Sequence, residues 1–297
     1  MRLTGTKPLV FLGFCLAGTQ AAALTINPTS SGPDLTNAIL GSGITVDDAS
    51  INYVGEDGQA GFFSNGLSAD IGIDSGILMT SGKAENAVGP NTSDSITTAW
   101  GTSGDATLDD LVVGATEDAN VLEFDFESAG GDLFFDYVFA SDEYNEFVNS
   151  TFNDVFAFTV DGVNIATLGP DDDAVSINNV NCGNPFGSAD NFCDSYNNND
   201  LNDGGGSLNV EYDGLTDVFT ASILGLEPGT HTMKLAIADR GDSAYDSGVF
   251  IKGGSFSDKP ETPETPGVKV PEPGTLSLIG LGLAGLGVTR RRSVRRS

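Results

Sequence analysis

Basic residues are scarce in this sequence. Among its 297 residues, 13 are lysine or arginine and 42 are aspartate or glutamate. Seven of the bases, Arg2, Lys7, Arg290, Arg291, Arg292, Arg295 and Arg296, stand at the two ends. Between Asp34 and Glu272, which bracket every acid, the bases are Lys83, Lys234, Arg240, Lys252, Lys259 and Lys269. So acidic a body has no means of replacing the counterions of a phosphate backbone, which excludes nucleic acid as a partner. Histidine is limited to His231, at the start of an expected strand, and no Gly-x-Ser-x-Gly elbow is present. A serine–histidine–aspartate centre therefore has little to build on. Sustained helical periodicity is also missing, apart from short turns near Leu35–Leu40 and Leu108–Val112. Disorder is a poor reading of these absences, because aromatic and branched residues recur in strand-sized clusters.

The ends carry processing signals. Residues 1–23 run from Arg2 and Lys7 through the apolar Leu9–Ala17 to Ala21, Ala22 and Ala23, the layout of a secretory signal peptide. Cys15 falls within that apolar run, leaving Cys182 and Cys193 in the mature chain. They flank an Asn/Gly-rich loop of an exported protein, which predicts a disulfide between them. Residues 258–270 repeat Pro-Glu-Thr and read as an extended spacer. Residues 271–297 contain Pro271-Glu272-Pro273, the apolar Thr275–Val288 and the arginine cluster. Fourteen residues is short for a spanning helix of about 20, and the arginines would hold the end on the cytoplasmic side. This order of parts resembles the PEP-CTERM sorting signal of Gram-negative bacteria that make exopolysaccharide. The leader calls for signal peptidase, and the resemblance implies an exosortase as the second processing partner, a membrane-held intermediate, and delivery to the outer surface or extracellular matrix.

The body, residues 24–257, reads as all-β. Leu122–Phe126 and Met233–Ala238 alternate apolar and polar residues, the mark of strands with one buried face. Further strands are expected at 49–54, 61–63, 71–80, 132–140, 154–160, 163–168, 174–177, 207–212, 217–224 and 248–256. Asp161-Gly162, Asp213-Gly214 and Glu227-Pro228-Gly229 supply turns. Many short strands without alternating helices predict one antiparallel β-sandwich or jelly roll with long polar loops. Residues 82–114 are polar and Gly-rich, carry Trp100, and are expected to fold over one end or face of it.

Two acidic segments stand out. Phe134–Ala140 and Val155–Val160 read as a hairpin whose connection holds Asp142, Glu143, Glu146 and Asp154. About a hundred residues later, Asp239, Asp242 and Asp246 follow a buried strand. Carboxylates this dense repel one another unless they are solvated or bridged by a cation. If Asp142, Glu143, Asp154, Asp239, Asp242 and Asp246 converge, they would supply the six to eight oxygens that Ca²⁺ takes. Their spacing is not that of an EF-hand, and Asp200–Gly206 also fails that pattern. Solvated acidic loops are the competing reading.

Five blocks together resemble the choice-of-anchor L domain of bacterial surface proteins: Gly89–Ser95, Val121–Phe126, the stretch from Phe135 to Gly162, Ser176–Asn181 and Leu235–Phe256. The resemblance implies an extracellular β-rich domain joined to one of several sorting signals, and it transfers no catalytic residues. The expected function is therefore an exported, non-enzymatic surface or matrix protein acting in adhesion, biofilm or exopolysaccharide association. Alternatives are a secreted two-carboxylate glycoside hydrolase and a calcium-dependent sugar-binding module.

Overall fold

The computed structural model describes residues 22–188 and 191–260. The secretory leader up to residue 21, most of the Pro-Glu-Thr spacer, Pro271–Pro273, Thr275–Val288 and the terminal arginines lie outside that range. Among the described residues, no helix is long and apolar enough to cross a membrane.

Two sheets face each other across one aromatic core. The first has the order Thr25–Pro28, Ala60–Ser64, Ser75–Thr80, Ser247–Lys252, Gly131–Ser141, Gly214–Thr216, Tyr196–Asn198, with Phe219–Leu226 also paired to Gly131–Ser141. In the second, Ile44–Val46 and Asn52–Val54 both pair with Thr116–Ser128, followed by Gly229–Arg240, Val155–Val160 and Val163–Asn164. Every ladder between these strands is antiparallel. This is the expected all-β sandwich.

Alternation places the core. Phe124 and Phe126 of the second sheet meet Phe135 of the first around Phe256, which stacks on Phe135 at a ring distance of 4.3 Å. Tyr137 and Phe139 reach across to Phe156 and Phe158. The intervening Val138 and Ala140 point to the other face, where Phe63, Leu78, Tyr212 and Phe250 cover them. Both faces of Gly131–Ser141 are thus buried along this part, which explains its nearly continuous apolar run. The apolar patch near Leu35 forms the helix Gly32–Ile39, longer than the single turn expected. Ser31 caps it by accepting from the Asp34 N–H, and Leu35 and Ile39 lie one turn apart in the core.

The expected hairpin does not form. Gly131–Ser141 lies in the first sheet and Val155–Val160 in the second, so residues 142–154 cross between sheets. A second crossing, residues 241–246, returns from Gly229–Arg240 to Ser247–Lys252. Register puts the two side by side: Ser141 is opposite Ser247 in one sheet, and Val155 opposite Ala238 in the other. Gly214 also faces Ser141, and Glu117 faces Asp239. The acids flanking all these positions therefore gather at one end of the sandwich. Residues 82–102 fold over that end, as expected for this long polar loop, and their N–H groups reach Asp118 and Asp246.

Candidate functional site

Five of the six acids proposed from the sequence are buried at this end: Asp142, Glu143, Asp239 and Asp246 are each 1% exposed and Asp154 is 0%. The two segments meet directly. The Asp142 N–H donates to the Asp246 carbonyl at 3.1 Å, and the Arg240 N–H donates to Asp154 Oδ1 at 2.9 Å. Ser247 Oγ donates to Asp154 Oδ2 at 2.7 Å. Asp242 stays at the exposed rim, where it accepts from the Ala244 N–H, yet its charge is felt by Glu143.

The acids differ sharply in how they are satisfied. Asp246 accepts from the Thr98 N–H through both oxygens, at 3.0 and 2.8 Å. Asp118, which sequence reasoning missed, accepts from the N–H groups of Trp100 and Thr102 and from the Thr102 hydroxyl. Asp239 takes no backbone N–H or hydroxyl donor on either oxygen, and its carboxyl lies against that of Asp154, close enough to share a proton with it. Ser81 lies beside it, but its hydroxyl is engaged by the Ser247 backbone. Asp142 Oδ1 and Glu143 Oε2 are also buried without partners. An isolated buried carboxylate is costly to keep ionised, so such groups are paired, protonated or bound to a cation.

The nearby bases are engaged with other groups. Lys83 pairs with Glu85, Lys234 with Asp105 and Lys252 with Asp136, and the Arg240 guanidinium donates to the Thr151 carbonyl. Burial accordingly holds the proton on the acids. It raises Asp239 well above the carboxylate range, with the Asp154 charge adding to it. Glu143 is raised by burial and then by Asp154 and Asp242. Burial raises Asp154 too, against the bonds from Ser247 and Arg240 and the one it shares with the Asp239 carboxyl. Asp246 is pushed by burial to about 6, its donors opposing the shift.

Asp142 links this group to a second one. Burial raises it, followed by the charges of Asp213, Asp246 and Glu211. Asp213 is 0% exposed; its Oδ1 accepts from Asn91 Nδ2 at 2.6 Å while its Oδ2 has no partner. Burial pushes it up to about 9, opposed by Asn91 and reinforced by Asp200, Asp94 and Glu146. The sequence marked Asp213 only as part of a turn. The donor that holds it, Asn91, comes from a loop without periodicity.

Among the described residues, no three acidic, histidine or cysteine side chains already stand in the geometry of a formed metal site. The acids are neighbours whose oxygens would have to close on an ion. Oxygen donors alone suit a hard cation, calcium above a transition metal. Cys182 and Cys193 form a disulfide, as expected, and take no part in this chemistry.

The family model of the choice-of-anchor L domain matches residues 25–257, and that of the PEP-CTERM protein-sorting motif matches residues 269–292. No curated protein and no solved structure matches the chain. The sorting motif makes this an exported protein, processed by an exosortase through a membrane-anchored intermediate. The chain belongs to the choice-of-anchor L family.

Proposed function

We propose that the domain is a non-catalytic module of the cell surface or extracellular matrix, stiffened by calcium at its acidic end. It would serve adhesion, biofilm or association with extracellular polysaccharide on the outer surface of a Gram-negative cell. The observation that carries the calcium reading is the Asp239 carboxyl, 1% exposed, with no N–H or hydroxyl donor on either oxygen and set against the carboxyl of Asp154, with Asp246 near by. A divalent ion there would let these acids ionise together and would tie the two sheet crossings to each other.

Calcium binding only the folded state stabilises it by about 2.7 kcal/mol at a hundredfold excess over Kd. For a domain of this size that raises Tm by roughly 5–10 °C. Melting the purified protein in EDTA and in CaCl₂ tests this, and identical curves would overturn it. Asp239→Asn should melt a few degrees above the wild type in EDTA at neutral pH, since the amide is neutral without taking up the proton that the buried Asp239 carboxyl must hold, and it should gain less from calcium.

A sugar-binding reading is favoured by a groove of about 370 Å³ lined by Asn52, Glu56, Asp105, Glu123 and Lys234. A glycan array alongside a polysaccharide hydrolysis screen separates the readings. Binding without cleavage supports a module, and turnover abolished at one of these carboxylates makes it an enzyme.

A further inference from the structure

Asp200, Asp213 and Asp94 come from three separate loops that asparagines tie together at the edge of the first sheet: Asn91 Nδ2 donates to Asp213 Oδ1 and to the Asn199 carbonyl, and Asn202 Nδ2 donates to Asp94 Oδ2. The strand Gly214–Thr216, placed between Gly131–Ser141 and Tyr196–Asn198, positions Asp213, while Asp200 follows the last of these strands. Asp200 is 1% exposed and fully used: Oδ1 accepts from the N–H groups of Asn202 and Asp203, and Oδ2 from the Asn145 N–H. It shapes the loop. Asp213 and Asp94 are different. Asp213 Oδ2 and Asp94 Oδ1 are both buried without a hydrogen-bond partner, while their sister oxygens are anchored by Asn91 and Asn202 respectively. Each carboxylate is thus fixed through one oxygen and leaves the other unspent. Glu146, exposed at the rim, feels the charges of Asp200, Asp94 and Asp203.

We propose that Asp213 and Asp94, with Glu146 at the rim, form a second divalent-cation site of the calcium type, separate from the Asp239 group. Two anchored carboxylates give fixed ligands, and a rim carboxylate and water complete the larger, irregular shell that calcium tolerates and magnesium does not. An ion here would fasten residues 91–94 to the Asp200 loop and to the sheet edge. The site does not need Asp239, so it stands or falls independently of the calcium reading above.

The test is ion stoichiometry on the full chain, stripped of metal and titrated calorimetrically with CaCl₂. Two ions per chain are expected in the wild type. Asp213→Asn should bind one, Asp94→Asn should bind one, and Asp239→Asn should bind one. Asp94, only partly buried on its loop, provides a variant whose folding is less at risk than that of Asp213, and melting in EDTA checks both. If Asp213→Asn and Asp94→Asn bind as many ions as the wild type, the site does not exist. A single wild-type ion lost in Asp239→Asn alone overturns it as well. A single ion lost in Asp213→Asn and Asp94→Asn but kept in Asp239→Asn supports this site and removes the other. No bound calcium by equilibrium dialysis of the same stripped chain overturns both, and equal affinity for calcium and magnesium overturns the calcium assignment.

Discussion

At the scale of single residues, the acidic end depends on how closely a backbone can approach a carboxylate. Gly82 supplies that approach. A Cβ built on it would stand 1.7 Å from Asp246 Oδ2 and 1.9 Å from its Cγ. Asp246 is itself held by the Thr98 N–H, so its carboxylate has no free path of retreat. Gly82→Ala should therefore cost about 1–3 kcal/mol, the usual penalty for overpacking a filled site. Urea unfolding in EDTA measures this, and a loss under about 0.5 kcal/mol would mean that Asp246 moves freely. Asp118 and Asp239 make the same point about burial. Both are buried, at 0% and 1%, but the first is saturated by N–H and hydroxyl donors and the second has none. Burial alone does not show how a carboxyl is satisfied; the donors around it do.

At the scale of elements, the organising feature is a pair of chain crossings between sheets. The acidic composition of both crossings is legible in the sequence, but their convergence is not, because it depends on which sheet each following strand joins. The hairpin expected from Phe134–Ala140 and Val155–Val160 is not what forms. An apolar run buried on both faces looks the same whether its successor joins its own sheet or the opposite one. Thr25–Pro28 and Ile44–Val46 were illegible for another reason. Their residues are exposed or half-buried, so no apolar alternation marks them. The second acidic group was hidden because Asn91 and Asp94, which belong to it, lie in a loop with no pattern of its own. The disulfide, by contrast, was readable from composition and compartment. Its loop braces the first crossing: Asn184 Nδ2 donates to the Glu146 carbonyl at 2.8 Å, and Asn191 Nδ2 to Asn149 Oδ1 at 3.3 Å. Replacing Cys182 and Cys193 together by serine should cost about 2–3 kcal/mol, as expected for closing a short loop. The change in urea midpoint at constant slope reports it.

At the scale of the whole molecule, the gathered acids couple stability to pH. In the metal-free protein, Asp246 titrates near 6 and Asp213 near 9, and Glu143, Asp154, Asp142 and Asp239 are also raised. In the unfolded chain such carboxyls titrate at about 4. Between those limits the folded state holds protons that the unfolded state has released, so stability falls as pH rises. His231 contributes with the same sign. Its bond to Asp161 raises its pKa, so the stability it adds is complete below about 6.5 and is lost above its folded value. The opposite contribution of Asp161, whose pKa is lowered, is lost only in acid below about 4. The expected result in EDTA is a Tm that declines steadily from pH 5 to pH 8. Calcium should flatten or reverse that decline, because an ion that binds ionised carboxylates gains affinity as they lose their protons. His231→Gln removes the histidine contribution and should leave the calcium effect intact. Surface repulsion from a net charge of −29 would produce a similar slope, but 0.5 M NaCl as a deliberately high-salt arm (roughly a 4 Å Debye length) would suppress it. If that salt alone abolishes the slope and calcium adds nothing further, the buried carboxyls do not set the acid–base behaviour of this domain.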